Sequence, residues 1–405
     1  MLLRGREFER RGVANEFWFC EPSVRWPEFQ ATGRATLAPL EQLARRLSKG
    51  DVDVIQMPAS DPAALLVARF AGQARIVVTG HGALADVWSM RNCFGYTAIS
   101  KGTAERCQPY TDIEIVVVQN AIDPERFQPP SARASARVGG PPIIAFAGRT
   151  HAIEKDFPRF TRIATRLVAT GARVWVADPG ANSWEKFAGR PIERIPVERW
   201  THVLSADMPA FFREVAASDG VVLMTSVTEG FGNVAPEASA CGARVAAPDR
   251  AGLRDSVMAD VTGILFRAEA SDDEVADRLR AYLAAPHDMH AVAAATHAAF
   301  SPSRMSEGYL AAYERGPRPA PRRDSTPPVD VGTAVLLAHL REQRTWRARL
   351  ARRDAVGLAR AGLRSHALYA LWLAATTEPR EFAKRIAWQQ LVATARWWLR
   401  PVGFP

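Results

Sequence analysis

The sequence predicts an α/β protein built from two similar halves, each a set of helices packed around a mostly parallel sheet. Three observations carry this. Short β-branched and apolar runs, too brief for helices, alternate with longer stretches of helical spacing. At 405 residues the chain exceeds what one ordinary core accommodates. A stretch rich in Pro, Ser, Ala and Gly, Pro129 to Pro142, interrupts the series where each side is long enough to bury its own core. Apolar residues at 47% and charged residues at 23% are the balance of an ordinary folded protein.

In order along the chain, Leu2 to Gly12 reads as a helix and Glu16 to Phe19 as a strand. Leucines at positions 37, 40, 43 and 47 predict one helix over Gly33 to Lys49. Val52 to Met57 predicts a buried strand, Pro62 to Ala71 a helix, and Ile76 to Thr79 a strand leading into Gly80-His-Gly82. Tyr96 to Ser100 and Ile113 to Val118 complete the first half as strands. The second half restarts with strand Ile143 to Ala147, helix Phe157 to Thr170 and strand Val174 to Ala177. Helix Ala210 to Ser218, strand Val221 to Met224, helix Val234 to Ala240 and strand Arg244 to Ala247 follow. Residues 1–128 and 142–301 are thus the expected halves and 302–315 a closing helix. Residues 316–330 read as a Pro-rich linker and 331–405 as a helical tail.

The formal charge of +9 is unevenly placed. Residues 316–405 hold 16 Lys or Arg against 6 Asp or Glu, whereas the rest of the chain holds 36 against 37. The basic character therefore belongs to the tail. The four cysteines, Cys20, Cys93, Cys107 and Cys241, are scattered without metal-ligand spacing, which fits free thiols in a reducing compartment and a cytoplasmic location. The N-terminus is charged from Arg4, unlike a signal peptide. The longest apolar stretch, Ala367 to Thr377, falls well short of the roughly 20 residues that span a bilayer.

The strongest chemical signal is Thr228-Glu-Gly-Phe-Gly-Asn-Val-Ala-Pro-Glu-Ala-Ser-Ala-Cys-Gly242. Glu229 lies on a glycine loop and Glu237 in the helix after it. Gly230 and Gly232 let backbone N–H groups approach an anion, and the start of the helix favours negative charge. Glu237 is then placed to accept hydrogen bonds from ribose hydroxyls. A plain turn followed by a helix with acidic residues near its start fits the same pattern. Asp51-Val-Asp53 has the outline of an Asp-x-Asp metal motif, but it enters a buried strand and is set aside. No Walker loop and no Gly-x-Gly-x-x-Gly is present.

These residues belong to a larger series. Gly148-Arg149 follows a strand, Lys155 opens a helix, the Glu-x7-Glu element comes next, and Thr262-Gly-Ile-Leu-Phe266 closes the run. Asn120-Ala-Ile-Asp-Pro-Glu-Arg-Phe127 sits at the junction of the halves, and Pro302 to Tyr313 ends the series. In this order they resemble the retaining glycosyltransferases of family 4, the group 1 glycosyl transferases. The resemblance covers roughly Asp51 to Arg315. It implies a GT-B fold: two Rossmann-like domains facing a cleft, the first presenting the acceptor and the second binding a nucleotide sugar. It further implies that Arg149 and Lys155 bind the diphosphate and that Glu237 holds the ribose. Glu229 would touch hydroxyls of the donor sugar, with Gly230, Phe231, Gly232 and Asn233 lining the pocket. His81 matches a cleft-facing histidine of the family, or is an ordinary loop histidine. The implied co-substrate is a UDP- or GDP-sugar, with no metal and no further cofactor, and the acceptor a glycan or lipid-linked hydroxyl of bacterial envelope or exopolysaccharide synthesis. The rival readings are a degenerate GT-B protein that binds donor without transfer, and a nucleotide-sugar epimerase or phosphorylase on the same fold.

The sequence departs from the family pattern in three places. Arg149 and Lys155 are six positions apart where five is common, and Asp156 replaces the usual glycine. The family opens with a strand and a Gly-Gly loop, whereas Met1 here begins what reads as the following helix. The expectation is a start lying upstream or an incomplete first domain. Both phosphate-binding bases are expected as exposed charges. In the tail, Ala387, Trp388, Leu391, Val392, Ala395, Trp398 and Leu399 fall on one helical arc, with Arg385, Gln389, Arg396 and Arg400 beside it. That pattern predicts docking of the tail on an anionic membrane surface, at the inner face of the membrane, ahead of packing on the body. Nucleic acid is not an expected partner.

Overall fold

The computed structural model describes residues 1–19, 26–38, 40–47, 49–58, 74–81, 93–130, 140–179, 192–201 and 207–315, with Trp184, Leu368, Leu371, Trp372 and Ala375 besides. The expected helix Pro62 to Ala71, the Pro-rich linker and both arcs of the tail lie outside the described residues.

Two compact units make up the chain. One takes in Met1–Ile76, Asn92–Phe94 and Pro317–Pro405, the other Val77–Arg91 and Gly95–Gly316. In the first, α1 (Leu2–Arg10) leads to β1 (Phe17–Phe19), followed by α2 (Trp26–Gln30), β2 (Ala35–Leu37), α3 (Leu40–Leu47) and β3 (Val54–Pro58). Strands β1 and β2 pair in parallel, Phe17 opposite Ala35. Phe17 and Phe19 stack edge-on against Phe29 of α2, and Gly5 of α1 lies so close to the Phe17 ring that a Cβ there would sit 2.4 Å from it. The single helix expected over Gly33 to Lys49 is corrected: Ala35–Leu37 is a strand, and the helix starts only at Leu40. Thr36, β-branched and opposite Trp18, favours the extended chain here.

The strands β4 (Arg75–Gly80), β5 (Gly95–Ala98) and β6 (Ile115–Val117) follow, with α4 (Lys101–Cys107) between the last two. The sheet order is β3-β4-β5-β6, and the pairings β4–β5 and β5–β6 are parallel. Ser100 caps α4 by accepting a hydrogen bond from the Thr103 N–H.

The remaining elements form the second sheet and its cover: β7 (Ile143–Ala147), α5 (Phe157–Val168), β8 (Arg173–Ala177), β9 (Arg199–Thr201), α6 (Met208–Ala217), β10 (Val221–Leu223), α7 (Val234–Ala240), β11 (Arg244–Pro248), α8 (Leu253–Ser256), β12 (Gly263–Phe266), α9 (Asp272–Ala284), α10 (Met289–Ala299) and α11 (Pro302–Glu314). The sheet runs β12-β11-β10-β7-β8-β9, all parallel. Its central strands β7 and β10 are apolar and buried throughout because both faces are covered. Along β7, Ile143, Ala145 and Ala147 join the core with α6 and α7, while Ile144 and Phe146 join the core with α5 and α9. Helix α11 returns to the first sheet, where Tyr309 OH lies 3.4 Å from Thr79 Oγ1 and that hydroxyl 2.8 Å from Thr97 Oγ1.

Candidate functional site

Strand order locates the site before any side chain is considered. From β7 the chain moves outward through β8 and β9, and from β10 it moves the opposite way through β11 and β12. The loops after β7 and β10 therefore diverge and leave a crevice at the carboxyl ends of these two strands, the usual ligand position in doubly wound sheets. Arg149 and Lys155 lie on the first of these loops and Glu229 on the second, with Glu237 in the helix that follows it.

The first loop runs from Gly148 to Asp156. Gly148 has φ 150°, and the Lys155 side chain lies 3.8 Å from where a Cβ would stand. The carboxylate of Asp178, wholly buried at the end of β8, accepts hydrogen bonds from the Thr150 N–H at 3.1 Å and from its hydroxyl. Lys155 closes a 3-10 turn, Ile153–Lys155, so it precedes helix α5 instead of opening it. Asp156 is left-handed at φ 44°, ψ 53°, and its side chain accepts the Arg159 N–H to cap α5. This explains the departure from glycine: Asp tolerates the left-handed region better than most residues, and the cap offsets the strain.

The second loop is fastened to the first. The Thr225 hydroxyl lies 2.9 Å from the carbonyls of both Lys155 and Asp156, and the Val227 N–H donates to the Glu154 carbonyl at 2.8 Å. Lys155 Nζ reaches Glu229 Oε1 at 2.5 Å, and Ser226 Oγ donates to the same oxygen at 2.8 Å. The Lys155 and Glu229 side chains are only 18% and 11% exposed, so Lys155 is not the solvated base the sequence leads one to expect. Arg149 is: its side chain is 57% exposed and pairs with Glu154 at 2.7 Å.

Gly230 is held in close quarters. Its carbonyl lies 2.5 Å from the Ser100 hydroxyl and 3.1 Å from that of Thr103, and Arg106 Nη2 is 3.5 Å from the Glu229 carbonyl. A Cβ on Gly230 would stand 2.5 Å from the His81 carbonyl oxygen. His81 itself is exposed at the end of β4. The Phe231 ring is buried edge-on against Phe300, so this residue offers a ligand its backbone only. Gly232 has φ 82°, and Asn233, exposed at the start of α7, accepts from Asn120 Nδ2 at 2.9 Å. Glu237 lies in the first turn of α7, where burial pushes its carboxyl up to about 7 against the opposing pull of Arg126. Sequence reasoning misses Asp178, Thr225, Ser100, Thr103 and Arg106, whose partners are distant in the chain. It also misses Ser226, whose partner Glu229 is three residues on but is met only through the turn of the loop.

Among the described residues no group of three or more His, Cys, Asp or Glu side chains converges as a metal site would, and no helix is long and apolar enough to cross a membrane. Burial pushes the Cys241 thiol up to about 12.

Known proteins resemble this chain in sequence and in fold. Residues 141–285 match the family model described as glycosyl transferases group 1, and residues 4–126 match glycosyltransferase family 4. A D-inositol 3-phosphate glycosyltransferase of Segniliparus rotundus is 31% identical over 223 residues, which is 52% of this chain and 49% of that protein. The chain thus spans about half the length of the curated relatives it matches. Among solved structures, a glycosyltransferase of Rickettsia africae superposes with a TM-score of 0.61 at 14% identity, covering 77% of this chain and 93% of its own. The Anabaena protein HepE in complex with UDP-glucose gives 0.58 at 16%, covering 76% and 93%. The fold is the GT-B fold of glycosyltransferases. With both sequence matches, which together take in more than half of its length, the chain belongs to the group 1, family 4 glycosyltransferases.

Proposed function

We propose that the chain transfers a sugar from a nucleotide-sugar donor to an acceptor hydroxyl, with retention of anomeric configuration and without a metal ion. The observation that carries this reading is the meeting of Lys155, Glu229 and Ser226 at the switch between β7 and β10, with Glu237 on the helix that follows. The chemistry needs a cationic group beside the leaving diphosphate, because negative charge grows there as the sugar–phosphate bond breaks. Lys155 and Arg149 supply it. Glu237 takes the ribose hydroxyls, and Glu229 those of the sugar. Retention needs the acceptor on the face the diphosphate leaves, and a leaving phosphate oxygen then takes the acceptor proton. His81, Ser100 and Thr103, around Gly230, border the acceptor side.

The acceptor is a glycan or lipid-linked hydroxyl, and the name of the curated relatives puts D-inositol 3-phosphate among the compounds to try. A thermal-shift panel of UDP-, GDP-, ADP- and TDP-sugars in EDTA tests the donor side. A donor at a hundred times its Kd stabilises the folded protein by about 2.7 kcal/mol. One nucleotide class should raise the melting temperature; no shift with any donor contradicts the proposal.

A further inference from the structure

We propose that Ser226 is a positioning residue for the donor's sugar, acting through Glu229; the proposal rests on the donor-site reading above. Both hydrogen bonds of the Glu229 carboxylate end on Oε1, from Lys155 Nζ at 2.5 Å and from Ser226 Oγ at 2.8 Å. Oε2 takes none among the described residues. A carboxylate turns readily about its last torsion, which has broad wells. Two donors converging on one oxygen remove that freedom and fix where the other oxygen points.

Each donor is itself anchored. Lys155 is held at its backbone by Thr225, and the residue before it by Val227. Ser226 lies between these two and is 3% exposed, too buried to meet a substrate directly. Its hydroxyl can influence a ligand only through the carboxylate it orients. Oε2, with its lone pairs unused and a negative charge behind it, accepts hydrogen bonds and repels phosphate oxygens. The group it fits is a sugar hydroxyl. Lys155 has three N–H donors and spends one on Glu229, so it serves a phosphate oxygen without releasing the carboxylate. The pair thus divides the donor between them: phosphate to the ammonium, sugar to Oε2. Ser226 keeps the division in register when a diphosphate draws on Lys155.

A double-mutant cycle of Ser226→Ala and Glu229→Gln tests this on two probes, the nucleotide sugar of the panel that binds the wild type and the matching nucleoside diphosphate. Ser226→Ala is expected to weaken the nucleotide sugar about tenfold, as loss of a hydrogen bond to a charged group does, and to leave the diphosphate within about twofold. In the Glu229→Gln background the same change should have no further effect on either probe. Equal losses on both probes, or additive losses in the cycle, overturn the positioning role while the donor site stands. A wild type that binds no nucleotide sugar overturns the donor site and this proposal together. If Ser226→Ala does not fold, Ser226→Cys keeps nearly the same volume, weakens the donor and faces the same criteria.

Discussion

Lys155 and Arg149 differ in what their removal costs. Arg149 is an exposed charge, so Arg149→Ala should change stability by under roughly 0.5 kcal/mol. Lys155→Ala strips Glu229 of one of two donors in a mostly buried place, and should cost about 1 kcal/mol by chemical denaturation. Both should lower transfer by a factor of about 100 or more, as loss of one transition-state donor does. Unchanged turnover in either variant removes it from the phosphate site. Glu237 brings a pH dependence. Its folded value of about 7 lies above its ordinary 4.5, so its contribution to stability is full below that lower value and is lost as pH rises through about 7. The ionised carboxylate is the better acceptor for ribose hydroxyls, so donor affinity should rise with pH through the same region. Titrating donor at pH 6, 7 and 8 checks this; a slope that survives in Glu237→Gln assigns it elsewhere. Glu229 and Glu237 stand out in the sequence because a glycine loop and a helix start set their spacing, whereas Lys155 is singled out only by the resemblance to the family. Asp178 is not legible, because an Asp at a strand end carries no signature until the fold brings Thr150 to it. Ser226 is not, because a loop serine three residues before Glu229 carries none until the turn between them closes.

At the scale of elements, the loops after β7 and β10 work as one piece, and the tolerance of each position follows from its neighbours. Gly230 is enclosed by the His81 carbonyl, Ser100 and Thr103, so a methyl group there forces backbone apart. Gly230→Ala should destabilise the protein by about 1–3 kcal/mol, the range for overpacking, and depress activity more than its stability loss explains. Denaturation with parallel activity measurement checks it, and a neutral effect contradicts the packing described. Helix α7 is readable to the residue, and β7, β10 and β11 to within one or two positions, because short apolar runs bounded by loops have few alternatives. The stretch Gly33 to Lys49 misleads because Leu37, in register with the helical leucines, belongs to a strand whose partner β1 lies almost twenty residues earlier. Strand β9 is three residues long and half-buried, too short for a period to show.

For the whole molecule, the charge asymmetry and the donor site concern different parts of the chain. The body is close to neutral while residues 316–405 carry 16 basic and 6 acidic side chains. If the tail docks on anionic lipid, the full chain should co-sediment with phosphatidylserine vesicles and be released by salt. Changing Arg385, Arg396 and Arg400 together to Glu should abolish that binding; equal sedimentation of both proteins removes the tail from membrane attachment. The central claim, a nucleotide-sugar site at the β7–β10 switch, is tested most directly by isothermal titration of the wild type and Lys155→Ala with the donor that the thermal-shift panel selects. The account predicts saturable binding to the wild type, weakened at least about tenfold in the variant, as loss of a charge-assisted hydrogen bond requires. Equal affinity in the two proteins, or no binding by the wild type, contradicts it.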